Sequence, residues 1–142
     1  MYSRDIVELE GKIKSYETKF GEDDPLLVDS LEELAHLHFM FERYYDAERL
    51  LWRAVAICGK KFGPDDLSMT PFLSDLGYLY ETETRWTEAE HVYRLAYAIK
   101  ASRLGPSHRE SLLLARNVVS VCRAQGKRLS ERELERLSRI AV

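Results

Sequence analysis

The 142-residue sequence predicts an all-α fold of stacked antiparallel helix pairs, an α-solenoid of about seven helices, and three observations carry that expectation. One phrase recurs, with "TKFGEDD" at residues 18–24 answered by "KKFGPDD" at residues 60–66. A shift of 42 residues keeps the register through whole segments, with 13 of 42 positions identical between residues 20–61 and 62–103. Apolar residues inside each repeat fall at i, i+3, i+4 and i+7, the signature of one helix face. A fixed period of this size marks a repeat architecture, in which one unit cannot bury its own apolar face and neighbours complete its core.

The elements follow in order. A first helix is expected at about 3–18, before Phe20-Gly21, and a second at 25–42, where Asp24 reads as an N-cap and Pro25 as the first helical residue. Leu31, Leu34, Ala35 and His38 form its stripe. After the aromatic joint "RYYD" a third helix at 44–60 carries Ala47, Leu51, Ala54 and Cys58. The pattern then restarts: a helix at 67–84 with Leu73, Leu76, Gly77 and Tyr80, the joint "RWTE", and a helix at 86–102 with Ala89, Tyr93, Ala96 and Ile99. Small residues on these stripes let two helix backbones approach closely. Leu104-Gly105 falls on the same register as the two Phe-Gly pairs, and a sixth helix is expected at 108–124, with Ser107 and Glu110 as a capping box. A seventh at 130–141 would start on a Ser130/Glu133 box and keep a thin stripe of Leu134, Leu137 and Ala141, a polar cap for the stack. Gly21, Gly63 and Gly105 are expected to end their helices in the left-handed conformation, with Pro64 and Pro106 preventing continuation.

Composition narrows the function. With 45% hydrophobic and 32% charged residues the chain is an ordinary globular one, and its first ten residues, "MYSRDIVELE", lack the apolar run of a secretory signal, so a cytoplasmic setting is expected. Cys58 and Cys122 have no CxxC spacing and read as reduced, buried thiols. Residues 1–100 hold 12 Lys+Arg against 20 Asp+Glu, and residues 101–142 hold 9 against 4, so an acidic front meets a basic rear. That polarity offers a second reading, a scaffold that self-associates through its acidic N-terminal and basic C-terminal ends. The basic end has no interleaved aromatics or nucleic-acid motif, and neither nucleic acid nor membrane is an expected partner.

No catalytic constellation, cofactor site or metal site is expected. His36 and His38 stand two apart on a helix and face different directions, unlike the i, i+4 pair that a metal needs. His38 lies on the core stripe, and Cys122, at the position of Tyr80, reads as a small core residue. Trp86 aligns with Tyr44 and is expected in the core, whereas Trp52 aligns with Arg94 and is expected to be more exposed.

Leucine at 34 or 76, a small residue at 35 or 77, the aromatic-type position at 38 or 80, Ala47 or Ala89, a large apolar residue at 51 or 93 and Ala54 or Ala96 stand at the spacings of the tetratricopeptide (TPR) consensus. The 42-residue period, the "FGPDD" turn and "RWTEAEHVYRLAYAI" resemble the kinesin-light-chain type of that family. The resemblance divides the chain into an N-terminal capping helix or partial repeat at 1–19, repeat 1 at 20–61, repeat 2 at 62–103, and repeat 3 with its polar cap at 104–142. It implies a right-handed superhelix and a noncatalytic module that binds a peptide or helix of a partner protein in a concave groove. The register places Glu32, Glu33, His36, Phe39 and Met40 in that groove, then Ser74, Asp75, Tyr78 and Glu81, then Arg116, Asn117, Ser120 and Arg123. Carboxylates where chaperone-binding relatives carry Lys, Asn and Arg imply a basic or amphipathic peptide, with an acid accepted by Arg116 and Arg123.

Overall fold

The computed structural model describes residues 3–130 together with residues 132, 133 and 136. Among them are six α-helices and no strand: α1 (Arg4–Phe20), α2 (Val28–Met40), α3 (Tyr44–Phe62), α4 (Thr70–Thr82), α5 (Trp86–Leu104) and α6 (Arg109–Ala124). A single 3-10 turn leads into α2 at Pro25–Leu27 and another into α4 at Leu67–Met69. The first six expected helices are in place within a few residues of their sequence-derived ends. The stripe of the seventh and its Glu131 lie outside the described residues, although Ser130 Oγ does accept from the Glu133 N–H at 3.2 Å. The chain forms two compact units, Met1–Phe72 and Leu73–Val142.

The joint between paired helices has one geometry, written three times at 42-residue intervals. Glu42, Thr84 and Gly126 adopt positive φ, at 58°, 58° and 69°. Beyond each, an N–H reaches back five residues: Arg43 to His38 O at 2.8 Å, Arg85 to Tyr80 O at 2.8 Å, and Lys127 to Cys122 O at 3.0 Å. A companion bond runs from Glu42 to Phe39 O at 3.0 Å, from Thr84 to Glu81 O at 3.0 Å and from Gly126 to Arg123 O at 2.9 Å. These are Schellman closures, which satisfy carbonyls that the helix end would leave orphaned and turn the chain within three residues. Only the third uses glycine. Thr84, branched at Cβ, pays the left-handed penalty of roughly 1–2 kcal/mol that L-residues meet there.

The longer-range turns differ from expectation. Gly21, Gly63 and Gly105 do end helices at positive φ, but their ψ values of 168°, 160° and 150° lie in the extended region that glycine alone tolerates, not in the left-handed helical one. For Gly63 and Gly105 the reason is the following proline, whose ring excludes helical ψ from the residue before it. At α6 the cap is His108, whose Nδ1 accepts from the Glu110 N–H at 3.2 Å, so the Ser107/Glu110 box is not formed. Asp24 caps as expected, its Oδ1 accepting from Leu26 N–H at 2.9 Å, and Asp66 does the same for Ser68 N–H at 2.9 Å.

In the N-terminal unit α2 packs against both α1 and α3. Ile6, Leu9 and Ile13 of α1, Leu31, Leu34, Ala35 and His38 of α2, and Ala47, Leu51, Ala54 and Cys58 of α3 are buried. Arg53 of α3 ties back to α1 through the Glu17 carboxylate at 2.8 Å and to the following loop through Glu22 O at 2.9 Å. In the C-terminal unit the same stripes are buried, with Leu76, Gly77 and Tyr80 on α4, Ala89, Tyr93 and Ala96 on α5, and Leu114, Ala115, Val118 and Cys122 on α6. Trp52 and Trp86 are both half-buried, which corrects the contrast expected between them.

Two contacts add to the packing of the C-terminal unit. At Gly77 the ring of Tyr93 lies where a Cβ would stand, 2.4 Å from its ideal position, so α4 and α5 meet backbone to ring. Gly77→Ala is expected to lower the unfolding free energy by about 1–3 kcal/mol, the usual cost of overpacking, in a urea titration. At the other end Glu90 accepts from Arg94 at 2.8 Å, Gln125 at 2.9 Å and Lys127 at 3.0 Å, clamping the chain after α6 onto α5. Burial pushes the Glu90 carboxyl upward, but the hydrogen bonds from Lys127, Arg94 and Gln125 outweigh it and hold the group at about 2. A folded value depressed below the ordinary 4.5 gives stability that is complete above 4.5 and lost as pH falls toward 2. The stability difference between the chain and Glu90→Gln is therefore expected to be full at pH 6 and to shrink steadily below about 4.5.

Candidate binding surface

Each first helix of a pair spends one face on packing and turns another outward. On α2 the buried face is Val28, Leu31, Leu34, Ala35 and His38. Helical spacing then leaves Glu33, His36 and Met40 on the opposite side, where all three are exposed, with Glu32 and Phe39 half-buried at its margins. The Phe39 ring meets Tyr44 edge-on at 5.4 Å, so α3 positions it. Met40 is 75% exposed, and Phe41 and Tyr45 beside it at the α2–α3 joint are also exposed. These last two apolar residues were not flagged by the periodicity, because the joint breaks the helical register on which a stripe is recognised.

On α4 the same logic exposes Tyr78, at 61%, and leaves Ser74, Asp75 and Glu81 half-buried. Glu81 has a specific partner: Tyr93 Oη donates to its Oε2 at 2.7 Å. Burial, the Glu81 hydrogen bond and the nearby charge of Asp75 together push the Tyr93 hydroxyl well above its ordinary range, so it stays a donor at any physiological pH. Glu81 thus joins the packing of α4 on α5, and its carboxylate faces this surface already bonded. On α6 Arg116, Ser120 and Arg123 are exposed and Asn117 is half-buried, while Leu114, Ala115, Val118 and Cys122 are turned inward.

The residues named from the sequence therefore stand as three separate outward strips. The N-terminal unit brings Glu33, His36 and Phe39 onto one helix; the C-terminal unit carries Asp75, Tyr78 and Glu81 on α4 and Arg116, Asn117 and Arg123 on α6. Such strips present charge and aromatic rings to solvent. His36 is exposed and His38 buried, so the two face apart. Cys58 and Cys122 are free and buried, and burial pushes both thiols up, away from the thiolate that nucleophilic chemistry requires. Among the described residues no helix is long and apolar enough to cross a membrane.

Comparison with known proteins places this geometry. Residues 27–68 match the tetratricopeptide-repeat family model, a stretch as long as the 42-residue period. No curated protein matches the chain at the sequence level. Among solved structures the chain is similar to a Podosopora anserina protein described as a kinesin light chain with nearly identical TPR-like repeats, at TM-score 0.76 and 23% identity over 96% of this chain and 65% of that one. A variant of the same protein gives TM-score 0.75 and 22% identity over 96% and 63%. BtubC (BKLC) from P. vanneervenii gives TM-score 0.80 and 18% identity over 96% and 55%. The chain thus spans somewhat more than half the length of the structures it resembles.

Proposed function

We propose, from the match of residues 27–68 to the tetratricopeptide-repeat model and the fold the chain shares with kinesin-light-chain-type TPR-like repeats, that it is a noncatalytic module that binds a peptide or helix of a partner protein. Repeats of this fold generally mediate protein–protein interaction. The binding strips are the outward faces of α2, α4 and α6, and the repeats run from 20 to 61, 62 to 103 and 104 to 142 after a capping helix at 1–19. The partner is basic or amphipathic, and the setting is cytoplasmic.

One observation carries the reading. Exposed apolar side chains stand on first-helix faces, Met40 at 75% and Tyr78 at 61% exposure, with the carboxylates Glu33 and Asp75 on the same faces. An exposed ring or thioether bordered by charge is the composition of a recognition hot spot, where the apolar group supplies affinity and the charge selects the partner. Acids on α2 and on α4 favour lysine or arginine in a peptide bound there, and Arg116 and Arg123 favour an acid in a peptide bound to α6.

Fluorescence anisotropy on a panel of amphipathic peptides with basic, neutral or acidic polar faces tests this. Basic-faced peptides are expected to bind, and Tyr78→Ala is expected to weaken them about tenfold, the loss of a single anchor worth about 1.4 kcal/mol. Acidic-faced peptides that bind equally well, or affinity unchanged in Glu33→Lys/Asp75→Lys, would overturn the proposal.

A further inference from the structure

The N-terminal unit contains a cavity of about 580 Å³ that belongs to none of the outward strips. Glu10 of α1, Leu34 and His38 of α2, and one face of α3 around Trp52 line it. Leu34 and His38 are four residues apart on the packing face of α2, turned away from Glu33 and His36.

Its polar lining is unbalanced in two ways. Glu10, Asp46 and Glu48 bring three negative charges against Arg49 and Arg53, and Arg53 is already bound to Glu17 at 2.8 Å. His38, with 5% of its side chain exposed, has Nε2 3.7 Å from Glu10 Oε1, while its Nδ1 is buried with no hydrogen-bond partner among the described residues. With the Nε2 side turned to a carboxylate, a neutral imidazole presents Nδ1 as an acceptor, and a buried acceptor calls for a donor.

The repeat shows what is missing. Two periods on, Glu10 and His38 correspond to Arg94 and Cys122, and there Arg94 Nη2 lies 3.8 Å from Cys122 Sγ while its Nε is bound to Glu90 at 2.8 Å. The C-terminal unit thus supplies a guanidinium from its own chain at this place, and the N-terminal unit has a carboxylate instead.

We propose that this cavity receives an arginine side chain from a basic peptide. The incoming guanidinium donates to the Glu10 carboxylate and to His38 Nδ1, and the Trp52 indole in the cavity wall stands close enough to report its arrival. The site lies apart from the outward strip of α2, so its occupant need not be the partner proposed for that strip.

Hexa-arginine tests the site, with hexa-glutamate as control, added to a Trp86→Phe chain in which Trp52 is the one remaining indole. Hexa-arginine is expected to change Trp52 emission saturably and hexa-glutamate to leave it unchanged. Glu10→Gln/Asp46→Asn should weaken binding at least tenfold, whereas Glu33→Gln, on the other face of α2, should leave it within twofold. In the unsubstituted chain the 15N signal of His38 Nδ1 should move on saturation, a readout that does not depend on any variant folding. An unmoved Nδ1 signal or unchanged Trp52 emission would overturn the proposal, as would equal weakening by Glu33→Gln, which would reduce the binding to diffuse attraction by surface acid. None of these results bears on the peptide panel that tests α2, α4 and α6.

Discussion

The structure depends on the three-residue joint that turns one helix of a pair back along the other. At Glu42, Thr84 and Gly126 the chain enters positive φ, and the next N–H closes on the carbonyl five residues earlier, at His38, Tyr80 and Cys122. That bond does two things at once. It satisfies the helix-terminal carbonyl, and it fixes the direction in which the following helix leaves, so that the small residues Ala35 and Ala47, or Gly77 and Ala89, stand on the buried faces of successive helices. The carbonyl that closes each joint belongs to the residue whose side chain enters the core. Turn and interior are therefore coupled through a single position in every repeat.

From this coupling the outward faces follow. A helix fixed in orientation by its joint can bury only one stripe, so residues three and four apart on the other side are left to solvent, and Met40 and Tyr78 are among them. Recognition of an extended or helical peptide suits such faces, because side chains presented at fixed intervals along a rigid helix lose little entropy on binding. The clamp at Glu90 acts on the last part of the chain in the same spirit: three donors from α5 and from the segment beyond α6 converge on one carboxylate and keep that segment on α5.

Much of this was legible in the sequence, for a physical reason. A repeated hairpin writes each apolar stripe, turn and cap twice or more, so chance coincidences at one copy are corrected by the other, and six helices fall close to where their spacing puts them. What escaped the sequence were details that depend on pairs far apart in the chain or on near-equivalent local choices. At Gly63 and Gly105 the helix-ending habit of glycine points to the left-handed conformation, whereas the restriction that Pro64 and Pro106 place on the residue before them selects the extended one. Ser107 and His108 are adjacent and both can cap; the histidine ring reaches the N–H, and the serine does not make the bond. Glu81 carries no mark of its partner, since the Tyr93 hydroxyl arrives from the next helix through the gap that Gly77 leaves. Trp52 and Trp86 align with residues of different character, yet both end half-buried, because an indole is large enough to cover core and meet solvent together.

Amide hydrogen exchange at Arg43, Arg85 and Lys127 tests the joint most directly. Each N–H follows the end of a helix and, without the closure onto residue 38, 80 or 122, would exchange as freely as in an open loop. Protection of all three amides, comparable to that of the adjoining helical turn, is the expected result. Exchange at the rate of an unstructured peptide at two or more of them would contradict the account.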